Sequence, residues 1–270
     1  KLKFVQIDEF YPLNPKQHNS FYNYVCKYYI EGFGMSLENA LLINSDEIPL
    51  ANNKDRRKIF PDNMIDLTLR FREANNDKEK EQQESIFLID QWCAEYENKI
   101  RSLGGIGFFL GGIGPDGHIA FNVRGSDHNS TTRLTGTNFE TQAAAATDLG
   151  GIEISRNRLV ITIGLRTITY NPEATGIIIA AGEAKSLIIK KSLENSPDVK
   201  YPATALTKLK HSCFYITKGA SKLLRDTEND YWENKLWDRS KKQRSLLALS
   251  KKINVFGKKL SLENLKNDPH

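Results

Sequence analysis

Apolar residues return along this chain at two spacings, and their alternation sketches an architecture. From Ser20 to Ile30, Phe21, Tyr24, Val25, Tyr28 and Tyr29 recur at helical spacing, which predicts an amphipathic helix with a core-facing aromatic stripe. Ile86, Ile89, Trp92, Cys93, Tyr96 and Ile100 do the same and predict a helix over Ile86–Leu103. Between and beyond these lie short apolar runs at Lys3–Ile7, Ile106–Leu110, Leu159–Gly164, Thr175–Gly182 and Cys213–Thr217, read as strands. A last helix is read over Ser221–Trp237. Strands separated by helical stretches predict an α/β fold, with a doubly wound, mostly parallel sheet and helices on both faces.

Charge changes this picture in two places. Residues 46–84 carry the runs Asn52–Arg57 and Asp77–Glu84, read as a solvated insertion with local helix. The net charge of +5 belongs to the C-terminal end, where residues 221–270 hold 12 Lys/Arg against 7 Asp/Glu. The rest of the chain is balanced, so its body is not shaped for nucleic acid. Residues 1–238 are read as the main domain, and 239–270 as a basic tail or a linker to an absent C-terminal domain. No apolar run approaches the ~20 residues of a membrane helix, so no membrane partner is expected. Lys1 opens directly onto a strand-like segment with no signal peptide, and the N-terminal part of the fold is expected to be missing. Cys26, Cys93 and Cys213 are unpaired in spacing and fit reduced, cytoplasmic thiols. Neither they nor the five histidines show metal-ligand spacing, and no metal or cofactor is implied.

The chemistry gathers at Gly111-Gly-Ile-Gly-Pro-Asp-Gly-His-Ile-Ala-Phe-Asn122, directly after an apolar strand. Four glycines in seven positions let the backbone turn sharply and approach a ligand. Asp116 and His118 sit inside that turn, and a carboxylate beside an imidazole can fix its tautomer and stabilise its cation. Gly112-x-Gly114-x-x-Gly117 also matches a dinucleotide fingerprint, but Pro115 interrupts it and no acid-ended strand follows at ~20 residues. A purely structural turn is the bland alternative. Asp8-Glu9 follows the first strand, where open α/β sheets place their chemistry; Asp8 could equally cap a turn. Lys185 follows a strand–glycine–helix junction suited to an anion, or simply points to water.

Taken together, these residues resemble the glucosamine-6-phosphate deaminase (glucosamine-6-phosphate isomerase) family, which is related to 6-phosphogluconolactonases. Asp8-Glu-Phe-Tyr11 resembles its hydrophobic-Asp-Glu-aromatic motif, and Gly111–Asn122 matches its Gly-Gly-x-Gly-x-Asp-Gly-His-x-Ala-Phe-Asn signature almost throughout. Leu159–Gly164 and Ala181–Lys185 resemble its later strand and phosphate-lysine segment. The likeness covers roughly residues 1–218, apart from the charged insertion, and is closest to a long bacterial form with a further C-terminal domain. It implies deamination of glucosamine 6-phosphate in a cytoplasmic homo-oligomer, with a small sugar phosphate as partner. Asp8 would be the base between C2 and C1, His118 the ring-opening group oriented by Asp116, and Lys185 the phosphate ligand. Main-chain amides at Gly112 and Gly114 would meet sugar hydroxyls, and Ser126 and Arg133 would be retained from an allosteric site. Departures are equally specific. Val123 stands where the deaminases carry a relay glutamate, Thr147 aligns with a phosphate arginine, and Thr135 with an allosteric lysine. The resemblance leaves open a lactonase-like hydrolase, which does not need that glutamate, and a sugar-phosphate-binding module without turnover.

Overall fold

The computed structural model of the chain describes residues 2–149, 151–155, 157–225, 232–233, 236–254, 261, 263 and 266. They form two compact units, Lys1–Leu224 and Arg225–His270. In the first, strands and helices alternate as the pattern requires. β1 (Phe4–Val5) pairs in parallel with β3 (Ala40–Leu41). β4 (Phe108–Gly112), β7 (Thr175–Ala180) and β8 (His211–Ile216) form a parallel sheet in that order. β2 (Asp8–Tyr11), β6 (Leu159–Thr162) and β5 (Arg133–Thr135) form a third, antiparallel sheet in the order β2-β6-β5. The α/β class with parallel sheets is as expected; the antiparallel sheet is an addition to it.

That addition moves Asp8. The Lys3–Ile7 run does not continue to a free strand end, because the buried Gln6 breaks it. Its side-chain amide donates to the Asp8 carbonyl at 2.9 Å and accepts from the Ile43 amide at 2.9 Å. The chain then leaves β3 for β6, where the Ile163 amide donates to the Ile7 carbonyl at 2.9 Å. Asp8 therefore heads a second strand instead of following the first one's end.

The charged segment contains a short helix, α2 (Arg56–Ile59), and contributes to the core. Ile48, Leu50, Ile59, Phe60 and Leu69 are all buried within it, and Arg72 pairs with Asp66 at 2.9 Å and Glu79 at 2.7 Å. The long helix α3 (Asp77–Ser102) begins inside this segment, earlier than its apolar stripe suggests, because Asn76 caps it by accepting from the Glu79 amide at 2.9 Å. Ile86, Ile89, Cys93, Tyr96 and Ile100 are buried on one side of it, as the spacing predicts. The aromatic stripe of residues 20–30 forms helix α1 (Phe21–Val25) and a π-helical turn, Cys26–Glu31. On the parallel sheet, Phe108, Leu110, Ile179 and Tyr215 share a face and are each more than half exposed.

Of the helix expected over Ser221–Trp237, Arg225, Trp232 and Glu233 are helical, Ser221–Leu224 form turns and a bend, Leu236 and Trp237 are not helical, and residues 226–231 and 234–235 lie outside the described residues. The second unit contains a helix, Arg239–Lys252, capped by Asp238, which accepts from the Lys241 amide at 2.7 Å. Among the described residues, no helix is long and apolar enough to cross a membrane.

Candidate active site

The glycine loop leaves the C-terminal end of β4 and folds back on itself. The Gly114 amide donates to the His118 carbonyl at 3.0 Å, and the Gly117 amide to the Gly114 carbonyl at 3.1 Å. Gly117 has φ +87°, the left-handed region that favours glycine. Gly114 serves a different purpose. A Cβ there would lie 2.1 Å from Cε1 of His118, so the imidazole rests directly on the glycine backbone.

Asp116 is buried and fully engaged. Oδ1 lies 2.6 Å from His118 Nδ1, and Oδ2 accepts from the Arg124 amide at 3.0 Å and the Asn138 side-chain amide at 2.6 Å. Burial opposes the charge, but these donors, led by His118, outweigh it and hold the carboxyl well below the usual range. An ionised carboxylate only accepts hydrogen bonds, so Nδ1 of His118 is assigned the proton and Nε2 is left to meet a ligand. The Thr141 hydroxyl lies 3.3 Å from the same Nδ1.

His118 opens into a cavity of about 430 Å³. The cavity walls are Phe10, Phe21 and Phe121, with ring centroids 5.2–6.1 Å apart, together with Pro115 and Thr141. Among the described residues its lining holds His18 beside His118 but no Lys, Arg, Asp or Glu.

Lys185 closes the short turn Glu183–Lys185 after β7, and its ammonium donates to the Ile113 carbonyl at 2.8 Å. Burial pushes its pKa down, and the nearby Asp116 carboxylate partly offsets that. The structure thus brings Gly114, Asp116, His118 and Lys185 together around one loop. Gly112 ends β4 opposite Ile179.

Asp8 does not line the cavity. It is half-buried in the neighbouring sheet, opposite Thr162, whose hydroxyl accepts from the Phe121 amide at 3.1 Å. The pleat puts Asp8 on the same face of β2 as Phe10, which does line the cavity. Its carboxyl has no hydrogen-bond partner among the described residues, and burial, then the charge of Glu9, raises it to about 8. Glu9, on the opposite face, is enclosed by Ser20 and the amides of Phe21 and Tyr22 at the start of α1.

Ser126 and Arg133 are also joined. Arg133 donates to the Ser126 hydroxyl at 3.3 Å and to Asn122 Oδ1 at 2.9 Å, tying both to the end of the glycine loop. Burial lowers the Arg133 pKa. Arg124, beside the position of the absent relay glutamate, sends its guanidinium 3.9 Å from Glu140 and serves Asp116 only through its main-chain amide. The side chain of Thr147 lies outside the described residues.

Sequence reasoning missed Asn138, Thr141, Thr162 and the aromatic walls. Asn138 carried a signal: its Oδ1 accepts from the Thr141 amide at 3.1 Å, capping helix α4 (Phe139–Leu149), and the same side chain reaches Asp116. Among the described residues, no three His, Cys, Asp or Glu side chains cluster as a metal set.

No protein-family model matches the chain. It is 39% identical over 119 residues to a glucosamine-6-phosphate isomerase of Candida albicans, covering 44% of this chain and 48% of the relative. It is 34% identical over 146 residues to a glucosamine-6-phosphate deaminase of Borreliella afzelii, covering 54% of each. A Caenorhabditis elegans glucosamine-6-phosphate deaminase is 41% identical over 102 residues, 38% of each. The chain resembles glucosamine-6-phosphate deaminases. It spans about half the length of the curated relatives it matches, and their range from yeast to nematode does not single out a bacterial form. The fold matches that of a monomeric glucosamine-6-phosphate deaminase with a TM-score of 0.59 at 22% identity, covering 82% of this chain and 74% of that one. It also matches a 6-phosphogluconolactonase from Trypanosoma cruzi with a TM-score of 0.53 at 17% identity, covering 83% and 73%.

Proposed function

We propose that the protein converts glucosamine 6-phosphate to fructose 6-phosphate and ammonia. The observation that carries this reading is the Asp116–His118 pair, 2.6 Å apart with His118 on the cavity wall, together with the Asp8 carboxyl, half-buried and raised by burial to about 8. A carboxylate ill at ease when ionised is a strong base toward a carbon acid, and aldose–ketose isomerisation needs one such base near two adjacent carbons.

Lys185 takes the phosphate, while the sugar lies against His118 and over the face of β2 that Phe10 shares with Asp8. Nε2 of His118 accepts the O1 proton and a proton returns to the ring oxygen, opening the pyranose to the aldehyde. Asp8 then takes the C2 proton and delivers it to C1, while the substrate's ammonium gives up a proton that ends on O1, leaving a hydroxymethyl group at C1 and an iminium at C2. Water adds to C2 and ammonia leaves, so one water is consumed. Asp116 keeps His118 in the required tautomer throughout. Phosphate binding remote from the reacting carbons supplies energy for this positioning.

Ser126 and Arg133 are read as residues of a regulatory site, supported by their mutual hydrogen bond and by Arg133's hold on Asn122. A homo-oligomeric, cytoplasmic, bacterial long form belongs to the same proposal and rests on the resemblance alone. Val123 favours a second reading, lactone hydrolysis, in which the relay glutamate has no part. Ammonia release from glucosamine 6-phosphate, measured beside Asp8→Asn and His118→Gln, separates the two. Loss in both variants supports the deaminase. Hydrolysis of 6-phosphogluconolactone lost only in His118→Gln supports the lactonase, and binding without turnover leaves a sugar-phosphate module.

A further inference from the structure

Glu97 is a buried carboxylate that none of the steps above uses. It sits on α3, and its two oxygens gather four donors from three segments. Oε2 accepts from the Thr132 amide at 3.2 Å, the Thr132 hydroxyl at 2.8 Å and the Thr167 hydroxyl at 2.7 Å. Oε1 accepts from Arg101 Nε at 2.8 Å. Thr167 in turn accepts from the Gly164 amide at 3.0 Å. A Cβ on Gly164 would lie 1.9 Å from the Ser130 carbonyl, so residues 130–133 and 163–167 are already in closest contact at that point.

What these segments hold is Asn122, the last residue of the glycine loop, which is fully buried. Its Nδ2 donates to the Ile163 carbonyl at 2.8 Å, and its Oδ1 accepts from Arg133 at 2.9 Å and from Ser130 at 3.4 Å. Arg133 directly follows Thr132. A carboxylate that grips Thr132 on one side and Thr167 on the other fixes the separation of the two jaws that close on Asn122.

We propose that Glu97 is a positioning residue: by clamping Thr132 to Thr167 it sets Arg133 and Ile163 on Asn122, and through Asn122 it holds the loop that carries His118. The consequence for turnover rests on the deaminase reading; the consequence for Asn122 does not. Four charge-assisted bonds make the carboxylate far more than space-filling, since an amide keeps the shape but loses the charge and turns one acceptor into a donor.

The test is Glu97→Gln in the full chain, beside Thr132→Val, which removes a single donor in case the first variant folds poorly. Expected are a displaced Asn122 side-chain amide resonance in both variants, and a kcat for glucosamine 6-phosphate lowered about tenfold to a hundredfold per folded molecule, with KM nearly unchanged. A merely structural Glu97 would lower Tm while leaving kcat and the Asn122 resonance at wild-type values, and that result overturns the proposal. So does a displaced resonance with kcat intact in an active wild type. If the wild type releases no ammonia, the deaminase reading fails, and the Asn122 resonance alone decides whether Glu97 positions the loop.

Discussion

Asp8 and Arg133 stand opposite the same residue, Thr162, one on each flank of β6. The hydroxyl of Thr162 accepts from the Phe121 amide and so binds this antiparallel sheet to the glycine loop. Thr162→Val keeps the shape and strands a buried N–H, at a cost of about 1–3 kcal/mol. The expected result is a lower Tm with an activity loss exceeding it, read from thermal melts beside kcat per folded molecule. An unchanged melt would show that the bond carries nothing.

Asp8 gives stability and activity opposite pH trends. Its carboxyl rises from 3.8 to about 8 on folding, so between those values the folded chain holds a proton that the unfolded chain has lost. Stability therefore falls as pH rises through this window and is lowest above it. Turnover needs the ionised base and rises over the same range, with its limb near 8. Asp8→Asn should abolish ammonia release and melt higher than wild type in alkaline buffer, with the gap closing in acid. Equal melting curves at all pH values would contradict the burial of this charge.

Gly114→Ala puts a methyl where the His118 ring lies. The ring must move, and with it Nε2. We expect at least a hundredfold loss of kcat with the fold retained by circular dichroism, since a displacement of about 1 Å can cost that much.

Asn138→Ala removes one of the donors that keep the Asp116 carboxyl low. The Asp116 pKa should rise, and stability drawn from the ionised form should then be lost at a higher pH as acid is added. Acid titration of the melting temperature in both proteins reads the displacement; a shift toward lower pH would reverse the assignment.

Local features were legible in the sequence. The buried face of α3 follows from helical spacing alone, and the Asp116–His118 pair stands two residues apart inside one turn. Asn76-x-x-Glu79 was a capping signature hidden among charges, which is why α3 starts earlier than its apolar stripe. The core contribution of Ile59, Phe60 and Leu69 was masked because the charges around them pair with one another. What pairs at long range was not legible: β2 and β6 meet across some 150 residues of chain, and no local pattern encodes that register. For the same reason the raised Asp8 pKa was out of reach, being made by neighbours that arrive only on folding.

The open side of the parallel sheet has a practical outcome. Parallel strands ordinarily carry cover on both sides, yet here Phe108, Leu110, Ile179 and Tyr215 meet water together. The protein is expected to light up a hydrophobic dye, cling to column matrices and cloud as it is concentrated.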